Sequence, residues 1–280
     1  MTAHSCRNRG DKTSMTDQPS PPTQNAPPVR NAENSFIFER VTNWEDRILP
    51  SQPVLSVHFQ HPPEEFYPRL LDRISQVSTP ADPEARFQLE VPPGISFSQF
   101  GSNMFVLKTL EMLIKIGGYK RILEIGTFIG VSAMCFADAA GPDGRVVTIE
   151  KYPQFSSLAE TNIERNGFAG RINVLQGEAL SMIDTIREQG PFDMIFLDGD
   201  KENYCEYYNT LKDMLGSGGL FIVDDVLFHA DTLNAVPSTK KGAGVAALLD
   251  QLAQDDSTDK VFLPAVNGMV LVRRKDGPAA

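Results

Sequence analysis

The chain has 280 residues, with 26 Lys and Arg against 36 Asp and Glu, a formal net charge of −10 and 41% hydrophobic residues. This length holds one large domain or two small ones around a well-filled core. The acidity excludes a general phosphate-backbone binder, which needs excess cations to displace counterions. Three widely spaced cysteines, Cys6, Cys135 and Cys205, make neither a disulfide framework nor a zinc pattern. No uncharged apolar run approaches the roughly 18–20 residues of a bilayer span. The expectation is a soluble protein of a reducing compartment, the cytoplasm.

Residues 1–35 contain no Phe, Tyr or Trp, but do contain Pro19, Pro21, Pro22, Pro27 and Pro28. Such a segment buries too little apolar area to offset its ordering entropy, which predicts a disordered tail. Arg7, Arg9 and Lys12 give it a trace of transit-peptide character without an amphipathic face. Apolar residues return over 36–100, where prolines keep interrupting them; this reads as an irregular N-terminal appendage. Within it, Phe66, Leu70, Leu71, Ile74 and Val77 fall at helical spacing and predict a helix over 66–77.

From residue 101 to 280 the texture is that of one main domain. Met104–Ile116 reads as a helix stopped by Gly117-Gly118. Strand candidates follow at Arg121–Ile125, Arg145–Ile149, Ile172–Leu175, Phe192–Leu197 and Leu220–Val223. Helical stretches alternate with them near 131–139, 153–165, 179–188, 203–215 and 243–254. This alternation predicts an α/β fold, a doubly wound, Rossmann-like parallel sheet with helices on both faces. At the end, Asn267-Gly268 between two apolar runs predicts a hairpin whose last strand is antiparallel.

In such a sheet, ligands bind beyond the carboxyl ends of the strands. The first strand runs into Glu124-Ile-Gly126-Thr127-Phe-Ile-Gly130-Val-Ser132. Its glycines permit a tight turn and close approach of a ligand, although glycines after a strand can also be only a turn. The preceding carboxylate would repel a pyrophosphate and suits an ammonium or a sulfonium. Glu150 ends the second strand, where an acid accepts the hydroxyls of a ribose. The fourth strand ends in Asp198-Gly199-Asp200-Lys201 and the fifth in Asp224-Asp225. Asp198 or Asp200 can serve as helix N-caps. Four carboxylates at one crevice repel one another, however, and a divalent cation with hard oxygen ligands relieves that repulsion. Lys201 is either a solvated lysine at a helix start or a catalytic cation beside Asp198.

Glu124–Ser132, the Asp198–Tyr204 stretch and Asp224–Phe228 together resemble the cation-dependent O-methyltransferases of the caffeoyl-CoA and catechol type, over about residues 104–274. The resemblance implies a class I methyltransferase sheet of seven strands and S-adenosylmethionine as cofactor. Glu124, Gly126, Thr127, Gly130 and Ser132 would hold its methionine part, Glu150 its ribose and Ala179 its adenine. Asp200, with Asp198 nearby, would meet its amino end. Asp198, Asp224 and Asp225 would ligate a divalent cation, Mg²⁺ first and Mn²⁺ or Ca²⁺ as alternatives. Lys201 would take the proton of a small phenolic or catechol-like substrate, and the chain would be a homodimer, with no nucleic-acid or membrane partner. Two departures stand out. The family commonly has Asp-Asn where this chain has Asp224-Asp225, and its usual segment before the first helix has only Ser96–Asn103 as a counterpart. Two further readings remain: an NAD-type Rossmann oxidoreductase, disfavoured by the G-x-x-x-G spacing, and a non-catalytic methyltransferase-like partner protein.

Overall fold

The computed structural model describes residues 29–30, 36–37, 66–79, 82–94, 102–264 and 266–275. The chain divides into two compact units at Val77/Ser78. Most of the expected tail and much of 36–100 lie outside the described residues, as do residues 96–101 of the Ser96–Asn103 stretch. In the first unit, Val29–Arg30 pairs antiparallel with Phe36–Ile37, and helix α1 occupies Phe66–Val77, the bounds that its spacing predicts.

The second unit begins with one helical turn, α2 (Pro83–Arg86), capped by Asp82, whose carboxylate accepts from the Ala85 amide. Helix α3 (Met104–Gly117) starts at Asn103, whose side chain accepts from the Phe105 amide. It ends where Gly118 adopts φ +66, the left-handed conformation that glycine takes without penalty. Strands β1 (Arg121–Ile125), β2 (Arg145–Glu150), β3 (Ile172–Gln176), β4 (Phe192–Leu197) and β5 (Leu215–Asp224) are parallel. Between them run α4 (Val131–Ala140), α5 (Pro153–Arg165), α6 (Ile183–Gln189) and α7 (Tyr204–Leu211). Helix α8 (Lys240–Gln254) leads to β6 (Thr258–Leu263), which turns through Asn267-Gly268 into β7 (Met269–Arg274). The seven strands lie in the order β3-β2-β1-β4-β5-β7-β6, with the last strand of the chain antiparallel and inserted beside β5.

Side chains alternate between two cores with the period of a strand. Ile122, Met194, Phe196 and Ile222 join the helices α3–α5 on one face. Leu123, Ile125, Ile195, Leu197, Phe221 and Val223 join α6–α8 on the other. Each such fully buried aliphatic or aromatic side chain contributes about 1.5–3 kcal/mol. Strand order reverses between β1 and β4, which opens a crevice at their carboxyl ends.

Two features differ from the sequence expectation. Strand β5 begins five residues before Leu220, because Gly216, Gly218 and Gly219 enter the ladder through an irregular register opposite Phe192–Met194. Residues 82–94, expected in the appendage, lie in the larger unit, where Phe87, Leu89 and Val91 pack against its core. Their alternation stands in the sequence as Phe87-Gln-Leu89-Glu-Val91, between Pro83 and Pro92. Among the described residues, no helix is long and apolar enough to cross a membrane.

Candidate active site

The loop after β1 is shaped by close backbone approach. Gly126 takes φ +106, and a Cβ there would lie 2.4 Å from the carbonyl oxygen of Asp198. Asp198 in turn donates its amide to Ile125 O at 3.0 Å, so the ends of β1 and β4 are stitched together at this glycine. Gly130, with φ +86, opens α4 against Ala159 and Ile163.

Two carboxyls flank the loop in different surroundings. Glu124 is fully buried; its Oε2 accepts from Thr148 at 2.6 Å, whereas its Oε1 has no partner. Burial pushes its pKa up to about 8, although the Ser132 and Thr148 hydroxyls work against the rise. Thr148 also meets Thr127 at 2.5 Å, so both threonines brace the turn. Glu150 is held by two backbone amides, Phe128 to Oε2 and Tyr152 to Oε1, each at 2.8 Å. Its remaining lone pairs are free to accept further donors. Gly177 donates to Glu150 O at 2.8 Å, which brings the turn carrying the buried Ala179 alongside.

Across the crevice, Lys201 lies almost fully buried, with Nζ 3.0 Å from Asp198 Oδ1 and 3.0 Å from Asp225 Oδ2. Burial opposes its charge, but Tyr204, Asp198 and Asp225 outweigh that and hold the ammonium above its ordinary range. Burial pushes Asp224 well up, reinforced by the charges of Asp198 and Asp225. Asp198 is also raised by burial, against the pull of Lys201 and with the push of Asp225. Asp200 sits at the cap position of the 3₁₀ turn Lys201–Asn203, yet its carboxylate accepts the Asn203 side-chain amide at 3.0 Å and caps no backbone. The capping reading therefore fails for Asp200, and Asp198 spends its carboxylate on Lys201. Among the described residues, no group of three or more His, Cys, Asp or Glu side chains is arranged to hold a metal ion. Where Asp198 and Asp225 converge, the structure has the lysine ammonium instead.

Comparison with known proteins agrees with this geometry. Residues 101–275 match the family model described as O-methyltransferase. The chain belongs to the O-methyltransferase family. A catechol O-methyltransferase of Niastella koreensis is 31% identical over 174 residues, 61% of this chain and 77% of that protein. One of Mycobacterium tuberculosis is 37% identical over 142 residues, covering 51% of this chain and 56% of that protein. Among solved structures, the O-methyltransferase from Bacillus cereus in complex with SAH has a TM-score of 0.61 at 26% identity, covering 74% of this chain and 97% of that one.

In this O-methyltransferase the glycine loop after β1 meets Asp198 at the end of β4, Glu150 ends β2, Ala179 follows β3, and Asp224-Asp225 end β5. Three further contributors are not among the residues to which the sequence assigns a role in the site. Thr148 is a buried polar residue within an apolar strand, and that mismatch is the signal that marks it. Tyr204, whose position on a helix allows either a pocket-lining or a core role, places its hydroxyl 3.3 Å from Asp224 O and 3.5 Å from Leu197 O, tying β4 to β5. Asp231, in the loop after β5, accepts from the amides and hydroxyls of Ser238 and Thr239 at 2.7–3.0 Å. His229 is exposed on that loop, with φ +54.

Proposed function

We propose that this chain is an S-adenosylmethionine-dependent O-methyltransferase that methylates one hydroxyl of a small vicinal phenol with the help of a divalent cation. The observation that carries this reading is a Lys201–Asp198–Asp225 cluster backed directly by a glycine loop with an unpartnered buried carboxyl oxygen at its foot. The cofactor would supply an electrophilic methyl-sulfonium. The orphaned Oε1 of Glu124 fits an ammonium, and the lone pairs left on Glu150 fit a diol. Gly126, Thr127, Gly130 and Ser132 line the turn between them, with Ala179 beside Glu150. Asp200 stands at the tip of β4, at hand for the cofactor's amino end.

By residue type the acids suit a hard cation, although Asp198 and Asp225 are paired with Lys201 and the three carboxyls are not gathered as a ligand set. Burial raises Asp198 and Asp224, with repulsion from Asp225 adding to it, and a cation drawn in among them would relieve that repulsion. A cation held there would bind phenolic oxygens and favour their ionised form. Lys201, held as an ammonium beside Asp198 and Asp225, would stabilise an adjacent phenolate; in that charge state it has no lone pair for the hydroxyl's proton, and to act as the base it would first have to pass its own proton to water. A phenol of pKa about 10 is a poor nucleophile near neutrality, whereas its oxyanion is a good one. The methyl passes directly to that oxygen, so no covalent enzyme intermediate is needed.

The relatives' names, catechol and caffeoyl-CoA O-methyltransferase, support a phenolic substrate. The test is a methyl-transfer assay on catechol probes with Mg²⁺ and Mn²⁺, with EDTA and with Asp198→Ala. Cation-dependent methylation abolished by both treatments is expected; undiminished transfer in either would overturn the cation mechanism. Calorimetry with S-adenosylhomocysteine and NAD separates the oxidoreductase reading, and cofactor binding without any turnover would favour a non-catalytic partner.

A further inference from the structure

Asn162 on helix α5 and Asn166, its C-terminal cap, grip a stretch of backbone as a neighbouring strand would. The Glu90 amide donates to Asn162 Oδ1 at 2.7 Å and Asn162 Nδ2 donates to Glu90 O at 3.0 Å. One turn further on, Gln88 N donates to Asn166 Oδ1 at 2.9 Å and Asn166 Nδ2 to Gln88 O at 3.0 Å. The register has a simple cause. Four helical residues rise about 6 Å and two extended residues about 6.6 Å, so side chains at i and i+4 of a helix meet alternate residues of an extended segment. Phe87, Leu89 and Val91, which alternate with Gln88 and Glu90, turn inward to the core. Arg165 pairs with Glu90 at 3.0 Å, and Arg86 ties the start of the segment to Glu111 and to Asp138.

The two asparagines differ in one respect. Asn162 is completely buried, and its Nδ2 also donates to Ile129 O at 3.1 Å, inside the Gly126–Gly130 loop. An amide nitrogen has two hydrogens; here one holds the extended segment and the other the loop. Asn166 instead turns its second donor to Asn162 O at 2.8 Å, within its own helix. If the Glu90 backbone lets go, Asn162 loses the partner that fixes its rotamer, and Ile129 loses a buried donor.

We propose that Asn162 is a positioning residue for the cofactor loop and that the extended segment 87–91 holds it in place, making the segment upstream of the methyltransferase domain part of the cofactor site. This rests on the reading of that loop as the cofactor's. The test uses the full chain with three variants: Asn162→Leu, Glu90→Pro and Gln88→Pro. Glu90→Pro removes the amide that Asn162 accepts and leaves α5 untouched; Gln88→Pro does the same at Asn166, which has no bond to the loop. Amide hydrogen exchange over 126–134 needs no ligand. Faster exchange there in Asn162→Leu and Glu90→Pro, with little change in Gln88→Pro, is expected. S-adenosylhomocysteine affinity should fall about tenfold in the first two, the scale of one buried carbonyl left without its donor. KM for the cofactor should rise while KM for the phenol holds, a split that general loosening would not give. Unchanged loop exchange in Glu90→Pro, or equal loss in Gln88→Pro, would overturn the proposal. Altered exchange without any cofactor binding by the wild type would leave it standing and sink the functional reading instead.

Discussion

Lys201 Nζ lies 3.0 Å from Asp225 Oδ2, and the same ammonium lies 3.0 Å from Asp198 Oδ1. The lysine thus acts as the resident counter-cation of two carboxylates proposed as metal ligands. Competition follows from charge: a divalent cation must displace the ammonium from both. Replacing the lysine by a neutral chain of similar length, Lys201→Met, should tighten Mn²⁺ binding about tenfold while abolishing methyl transfer. Asp225→Asn should weaken Mn²⁺ binding by a similar factor. Titration calorimetry of the cofactor-free protein reads both; weaker binding in Lys201→Met would contradict the competition.

A second prediction concerns Glu124. Its pKa in the folded chain is raised from 4.5 to about 8, chiefly by burial. Between those two values the unfolded chain has lost the proton and the folded chain keeps it, so stability falls as pH rises through that window and levels off above it. Glu124→Gln, which is neutral throughout, should remove this slope and leave the cofactor-free variant more stable than the wild type at pH 8. A ligand ammonium beside Oε1 would favour the ionised form, so binding S-adenosylhomocysteine near pH 7 should release protons. Calorimetry in buffers of different ionisation enthalpy measures this release, and its absence would separate Glu124 from the ligand's charged end.

Much of this site was legible before any coordinates, because it is built from local pattern. Strand ends announce the crevice, and Glu124, Glu150, Asp198 and Asp224 each sit at or just beyond the end of an apolar run. Pairings between distant segments were not legible. Nothing in the sequence around Asn162 indicates that its amide serves Glu90 and Ile129, 72 and 33 residues away. Tyr204 shows the same limit. A buried tyrosine at helical spacing reads as core, and only the fold shows its hydroxyl bridging two strand ends. The start of β5 was not legible either, since residues 215–219, three of them glycines, are drawn into the strand only by the neighbouring β4.

A third prediction addresses the loop after β5. Asp225, Phe228, His229 and Ala230 all have positive φ, a conformation that non-glycine residues hold only when the surroundings impose it. Asp231 supplies that constraint: Ser238 and Thr239 donate to its carboxylate from backbone and side chain, and these bonds hold its pKa below the usual range. Gly242, in the first turn of α8, leaves no room for a Cβ against Asp231 Oδ2. The stabilisation is present above the ordinary carboxyl range and is lost as pH falls through the lowered value, so neutral assays see it in full. Asp231→Ala should open residues 225–239 to proteolysis and lower kcat through Asp225, while S-adenosylhomocysteine affinity stays within about twofold. A protease-resistant loop in that variant would show that Asp231 is not what holds it.

Two glycines with positive φ provide the last prediction. Gly118 has φ +66 with nothing within 4 Å of a Cβ position, so Gly118→Ala meets only the left-handed penalty, about 1 kcal/mol, and should leave cofactor affinity intact. Gly126 has φ +106, and a Cβ there would stand 2.4 Å from the Asp198 carbonyl, a backbone atom that cannot rotate aside. Relief requires β1 and β4 to part at the point where the glycine loop meets Asp198. Gly126→Ala should therefore destabilise the fold by more than about 2 kcal/mol and abolish S-adenosylhomocysteine binding. Denaturant titration and calorimetry on the pair give the comparison. Equal losses in the two variants would mean that the close approach at Gly126 adds nothing to its left-handed strain.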